Sequence, residues 1–402
     1  MILEDASVVA ARLMLGFARR TGLYPATQEQ QRYLWTDAFA VCNFLELFGR
    51  TGDQIYRRCA TDLIDQVHRV LGRYRDDDLR RGWISGLDDE AACQHPTAGG
   101  LRIGKPLKER RPGEPIDERL EWDRDGQYFH YLTKWMHALC RAGLIANHSA
   151  YARWAVELGD AAFKGFVRRS RSGEVAGIHW KMSTDLSMPL VPAMGQHDAL
   201  EGYITFREAQ YTVSKMPSEG RVPDLSGAIK SMSTMCEHGD WTTDDPLGVG
   251  GLLFDACRLC RLLGQDRPGD LLLVKEITNA YENGVMALRG GRYLTQSASH
   301  RLAFRELGLA IGLRALPIIT DVTNKYTIEN RSLRRAADLL QQYETFAEEI
   351  VSAWLPHAKK PDASWQAHRD INDVMLATAL IPEAFLSIDE RGMTPGAVLS
   401  KR

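Results

Sequence analysis

PLGVGGLLFDACRLCRLLG, residues 246–264, is apolar nearly all the way round and carries Gly248, Gly250 and Gly251. A helix without a wide polar face has to be enclosed by neighbours, and small residues let those neighbours come close. HRLAFRELGLAIGLRAL, residues 300–316, repeats the pattern with Gly308 and Gly312. Two other stretches differ. YARWAVELGDAAFKGFVRRS (151–170) gathers Arg153, Glu157, Asp160 and Lys164 on one face, and SLRRAADLLQQYETFAEEIV (332–351) does the same with Arg334, Arg335, Asp338 and Glu344. An apolar stripe opposite a charged face marks a helix half in solvent. Enclosed and half-exposed helices therefore alternate, which predicts an all-α fold built in an inner and an outer layer.

Caps and breakers place helices near 2–20, 28–49, 53–73, 127–142, 148–170, 198–215, 224–238, 246–263, 269–289, 299–315, 329–354 and 363–380. Enclosed helices start near Thr36, Gln127, Asp198, Pro246, Ser299 and Ser364. Each is followed by an amphipathic helix except the last, whose outer partner can be the N-terminal helix. This is the plan of an (α/α)6 toroid of six helical hairpins occupying residues 1–402 as a single domain. Strand-like alternation is confined to short pieces such as EVAGIHWKMS, 174–183. Connections from inner to outer helix are short, whereas those at 74–126 and 171–197 are long. Long irregular segments in a compact domain are usually functional, so the end of the fold that carries them is the candidate site.

Composition excludes several alternatives. A net charge of -2 over 402 residues, 25% charged, offers no field for nucleic acid or an anionic membrane. Glu4, Asp5 and Arg12 interrupt the first apolar stretch, which reads as neither a signal peptide nor a membrane span. Seven scattered cysteines suggest a reduced, cytoplasmic protein. Cys257 and Cys260 form one CxxC inside an apolar helix with no second pair, which reads as burial and not as metal binding. Asp76, Asp77 and Asp78 lie among Arg73, Arg75, Arg80 and Arg81 and read as a salt-bridged turn. There is no Walker lysine loop, dinucleotide glycine turn, HExxH or Gly-x-Ser-x-Gly elbow, and neither a cofactor nor a metal is expected.

The starts of the inner helices share one kind of chemistry. RLEWDRDGQYFHYLTKWMHAL (119–139) brings Glu121, Trp122, Asp123, Asp125, Tyr128 and His130 to the mouth of an apolar helix. Trp35 and Asp37 open the first inner helix, His197, Asp198 and Glu201 the third, Trp241 precedes the fourth, and His300 and Arg301 open the fifth. The long loops add Asp88, His179 and Trp180. Aspartates at helix starts are commonly caps, which accept amide hydrogen bonds and complement the dipole. Capping requires neither imidazole nor indole, however. Aromatic rings interleaved with carboxylates suit a pyranose, which offers C–H faces for stacking and hydroxyls for acceptors, and glycosidic cleavage needs two carboxyl groups at a fixed separation.

In helix order, loop asymmetry and acid-aromatic rim, the chain resembles the six-hairpin glycosidase superfamily, which includes unsaturated glucuronyl hydrolases, glucoamylase-like enzymes and, related in shape, sugar 2-epimerases. The resemblance implies catalytic acids at inner-helix starts or in the loops before them, which here are Asp37, Asp125 and Asp198. The reading that follows is a glycoside hydrolase with Asp125 as general acid, desolvated by Trp122, Tyr128 and Phe129, and Asp198 as base or nucleophile beside His197. Trp35, Asp88, Glu121, Trp122, Asp123, Tyr128, His130, His179, Trp180, His197, Glu201, Trp241, His300 and Arg301 would bind the small-molecule or oligosaccharide substrate. Two alternatives stand beside it. One is a sugar epimerase or isomerase in which His197 and His300 exchange a proton; the other is a toroid that binds a ligand without catalysis or shapes a prenyl chain.

Overall fold

The computed structural model describes residues 5–217, 220–237, 239–265, 271–291, 296–325, 335 and 338–388. Contacts divide these into two compact units, one built on residues 18–237 and the other on residues 239–387 together with 5–17.

Helix α1 (Ala6–Arg20) groups mainly with the second unit. The first unit begins with α2 (Leu34–Thr51) and α3 (Gln54–Leu71), then the short α4 (Asp89–Gln94) and α5 (Glu118–Glu121) within the long loop. Strand β1 (Gln127–Tyr128) leads into α6 (Phe129–Ala146), which pairs with α7 (Ser149–Phe166). Strands β2 (Val167–Arg169), β3 (Val175–Ile178), β4 (Lys181–Met182) and β5 (Pro189–Val191) precede α8 (Asp198–Ser214) and α9 (Ser226–Cys236). Helix α6 packs on α2 and on α8, while α3, α7 and α9 each pack on the helix before them. Burial follows that order: 14 of the 18 residues of α2 are buried, against 9 of 18 in α3. The tight inner-to-outer links are made by left-handed residues. Gly52 (φ 72°) closes α2 by donating its N–H to Phe48 O, and Asn147 (φ 49°) closes α6. These are αL caps that satisfy the last carbonyls.

The second unit holds α10 (Pro246–Gln265), α11 (Leu271–Gly290), α12 (Ala303–Leu313), α13 (Leu316–Lys325), α14 (Glu344–Lys359), α15 (Ala363–Ala367), α16 (Arg369–Leu380) and α17 (Glu383–Leu386). Helix α10 packs on α11 and α12, and α12 packs on α14 and α16. The glycines noted in the sequence sit at the α10–α12 crossing. A Cβ on Gly250 would lie 2.2 Å from Gly308 O, and one on Gly312 would lie 2.6 Å from Gly250 O. Among the described residues the helix order is that of an (α/α)6 fold, with inner helices α2, α6 and α8 in one unit and α10, α12 and α16 in the other.

Some boundaries differ from expectation. Helix α7 stops at Phe166 and not near 170, because Val167–Arg169 pairs antiparallel with Val175–Ile178 around a turn at Gly173. The helix expected over 299–315 starts at Ala303, breaks after Leu313, and resumes as α13 over a stretch expected to be a loop. The helix expected over 363–380 is divided at His368 (φ −132°, ψ 34°). Of the helix expected over 329–354, residues 329–334 and 336–337 lie outside the described residues.

The two long loops meet. Strands β1, β4 and β5 form a three-stranded antiparallel sheet in which Gln127 pairs with Met182 and Lys181 with Val191. The Gln127 side-chain amide donates to Gly99 O (3.1 Å) and Thr184 O (2.6 Å) and accepts from Leu101 N (2.9 Å), which joins both loops at one buried residue. Gly100 lies against it at φ 79°, where a Cβ would collide with the amide. Arg80 adds ion pairs to Asp185 and Glu109. Phe129, the first residue of α6, donates its N–H to Trp180 O, so the joined loops stand at the head of α6.

Candidate functional site

The first turns of α6 and α8 supply the polar centre. In FHYLTKW, His130, Thr133 and Lys134 fall at spacings that share one helix face, and on α8 Asp198 and Glu201 stand one turn apart. Glu201 accepts a hydrogen bond from the Thr133 hydroxyl (2.9 Å) and pairs with Lys134 Nζ at 3.0 Å, all three side chains being buried. Asp198 is 3% exposed and accepts from Gly195 N at 2.9 Å. Its carboxyl is pushed up to about 8, chiefly by burial and further by the neighbouring Glu201 charge. Glu201 moves the other way. Burial works against its charge, but the Lys134 cation and the hydrogen bond from Thr133 outweigh that and hold it below its ordinary value. Burial lowers His130 to about 4, leaving a neutral imidazole at pH 7.

Around this centre runs a continuous band of rings. His130 lies parallel to Trp180, 7° between planes and 6.3 Å between centroids, and 5.5 Å from Tyr128. Tyr128 contacts Trp180 at 5.0 Å, and Trp180 meets Trp122 edge-on at 5.2 Å. Tyr131 extends the band to Tyr33, and their hydroxyls are hydrogen-bonded at 2.5 Å. A cleft of about 340 Å³ is lined by the rings of Trp122, Trp180 and Tyr128, by Ile116, Leu190, Val191 and Pro192, and by Glu118 and Glu121.

The other expected residues divide into two groups. Asp125 is fully buried, with one oxygen paired to Arg102 and 3.7 Å from Arg75, and the other accepting from Gly104 N (3.0 Å) and Lys105 N (3.4 Å). Every acceptor position faces the chain itself, so this aspartate anchors the loop and is not poised as a general acid. Asp37 accepts from Tyr33 N (2.9 Å) and pairs with Arg32 (3.4 Å), fixing the start of α2. Trp35 is core, against Phe39. Asp88 caps α4 through Ala91 N, and Glu121 is buried between Lys181 (3.1 Å) and Arg110 (3.5 Å). Asp123 is exposed, His197 half-buried before α8, and His179 donates its backbone N–H to Phe166 O. Trp241, His300 and Arg301 belong to the second unit. There Trp241 is buried, His300 exposed, and Arg301 paired with Glu306, which also accepts from Trp354.

Sequence reasoning missed Lys134. The available signal was a lysine inside an otherwise apolar stretch, since an enclosed ammonium has to have a carboxylate partner. Among the described residues no group of three or more His, Cys, Asp or Glu is placed to hold a metal, and no helix is long and apolar enough to cross a membrane.

No protein-family model matches the chain, and no curated protein matches its sequence. Similar solved structures include cellobiose 2-epimerase from Spirochaeta thermophila DSM 6192, with a TM-score of 0.48 and 12% identity, covering 89% of this chain and 86% of that one. A D-mannose isomerase gives a TM-score of 0.47 and 11% identity over 85% of each chain. An inactive variant of the α-1,6-mannanase GH76A of Salegentibacter sp. HEL1_6, in complex with α-1,6-mannotriose, gives 0.45 and 12% over 96% of this chain and 100% of that one. Identities this low and TM-scores below 0.5 carry no activity and no residue correspondence over to this chain.

Proposed function

We propose that the chain is a carbohydrate-active enzyme that cleaves a glycosidic bond with Asp198 as general acid and Glu201 as base or nucleophile. The observation that carries this reading is two buried carboxyl groups one turn apart on α8, Glu201 paired with Lys134 at 3.0 Å and held ionised, Asp198 pushed up to about 8 by its burial. Environments that push paired titratable groups apart assign acid and base roles. At neutral pH Asp198 holds the proton a leaving oxygen needs, and Glu201 holds the negative charge that activates water or attacks the anomeric carbon. The rings of Tyr128, His130 and Trp180 suit the C–H face of a pyranose, and the neutral His130 can hydrogen-bond a hydroxyl. Relative to the expectation from sequence, Asp198 takes the acid role and Glu201 replaces Asp125 in the pair, because Asp125 is already engaged by Arg102 and two amides. The substrate is then a mono- or oligosaccharide derivative, and seven cysteines scattered along the chain fit a reducing, cytoplasmic setting.

A panel of 4-nitrophenyl glycosides and disaccharides, assayed with wild type, Asp198→Asn and Glu201→Gln, tests the pair. Loss of turnover in both variants with an unchanged circular dichroism spectrum is expected, whereas full turnover in both would refute the assignment. An epimerase reading gains support from the neutral His130 imidazole, which can accept a proton from a carbon next to a carbonyl. Its mark is deuterium from solvent appearing at C2 of a free sugar without hydrolysis, abolished by His130→Gln.

A further inference from the structure

We propose that the cleft formed by Trp122, Trp180 and Ile116 with the end of β5 is a subsite for a flat apolar group, the aryl aglycone of a glycoside. This rests on the carbohydrate reading and specifies its substrate class. At about 340 Å³ the cleft falls in the range of small-molecule sites, roughly 300–1,000 Å³. What distinguishes it is a lining in which rings and aliphatic side chains predominate, with Trp122, Trp180, Tyr128, Leu190, Val191 and Pro192 among its residues. Glu121 Oε1 accepts from Lys181 Nζ at 3.1 Å while its Oε2 stands 3.5 Å from Arg110 Nε without a hydrogen bond, and Leu190 O accepts from Arg110 Nη2 at 3.1 Å. The strand backbone is engaged by the pairing of Lys181 with Val191, and Trp180 N donates to Ala193 O at 2.6 Å. Glu118 stays exposed. A pyranose seated here would give up water from every hydroxyl turned toward Leu190, Val191 and Pro192, at a cost for each one left unmatched.

An aromatic ring has no such cost and finds suitable walls. Trp122 and Trp180 stand at 73° to each other, so a ring stacked on one indole meets the edge of the other, both favoured geometries. Large apolar side chains beside it are exposed among the charged Asp117, Glu118 and Arg119: Trp122 is 55% exposed, Ile116 56% and Leu120 42%. Tyr128 links the cleft to the chemistry, since it lines the cleft and stands 5.5 Å from His130.

The test uses the whole chain with 2-naphthol as an apolar probe, and methyl, phenyl and 2-naphthyl glycosides of whichever sugar is turned over. Trp122→Ala and Ile116→Asp alter exposed side chains, so both variants retain the fold. Wild type is expected to bind 2-naphthol about tenfold more tightly than either variant, the loss of one ring-stacking and burial increment. KM is expected to fall from methyl to naphthyl glycosides in wild type, with that ratio collapsing in the variants. Absence of naphthol binding, or equal binding by wild type and both variants, overturns the subsite. Naphthol binding that both variants lose, in a protein that turns over no glycoside, leaves the subsite standing and removes the carbohydrate reading. Turnover with equal KM for methyl and naphthyl glycosides does the reverse.

Discussion

Asp125→Asn separates an anchoring carboxylate from a catalytic one. The side chain is fully buried, as is the Arg102 guanidinium at 7% exposure, and the pair joins the segment before α6 to the turn at 102–105. Asparagine keeps the shape but removes the charge opposite Arg102. Arg102 retains two carbonyl acceptors, Arg73 O and Val70 O, both at 2.6 Å, while Arg75, 3.7 Å away, loses its buried counter-charge. Breaking one side of a buried pair costs about 3–5 kcal/mol, and the two remaining carbonyls place this site near the lower figure, about 3 kcal/mol. That corresponds to a roughly hundredfold change in the local opening equilibrium. Hydrogen exchange followed residue by residue is the appropriate assay. The Gly104 and Lys105 amides, which donate to Asp125, should lose about two orders of magnitude of protection, while amides in the middle of α10 and α12 keep theirs. Unchanged protection at Gly104 and Lys105, together with complete loss of turnover, would refute the anchoring role and return Asp125 to the chemistry.

Asp198→Asn should change the pH dependence of stability. The folded carboxyl titrates near 8 and the unfolded one near 3.8, so wild type loses stability as pH rises between those values, because the unfolded chain can ionise and the folded one cannot. The variant lacks this loss and should unfold at higher urea than wild type at pH 8 but not at pH 4; parallel curves would contradict the buried neutral acid. Lys134→Met removes the cation 3.0 Å from Glu201, whose depressed titration contributes stability above its unfolded value and loses it on acidification. The acid limb of the kcat/KM profile should therefore move to higher pH, and an unmoved limb would exclude Lys134 from holding Glu201 ionised. Gly250→Ala should cost about 1–3 kcal/mol in urea denaturation because the new methyl meets the Gly308 carbonyl. Gly251→Ala, with nothing within 4 Å, should be neutral or stabilising by about 0.5–1 kcal/mol, and equal effects at the two positions would refute the close crossing.

The amino-acid pattern by itself determined the helical class, the alternation of inner and outer helices, and the placing of the two long loops before inner helices. Apolar residues all round Pro246–Gln265 have no other stable place than between neighbours, and Gly250 and Gly308 announce the backbone contact they make. The aromatic rim was also legible, since Trp122, Tyr128, His130 and Trp180 were expected together and stand together. The division of labour among the acids was not. Asp37, Asp125 and Asp198 look alike in sequence, each an aspartate at or just before an inner-helix start. Arg32 and Tyr33 N engage the first, Arg102 and the Gly104 amide the second, while Asp198 meets the charge of Glu201 with Lys134 of another helix alongside. Helix formation and burial follow from local periodicity, but the ionisation of a carboxyl depends on what lies within a few ångströms of its oxygens, and for Asp125 and Glu201 the deciding cations, Arg102 and Lys134, come from other segments of the chain.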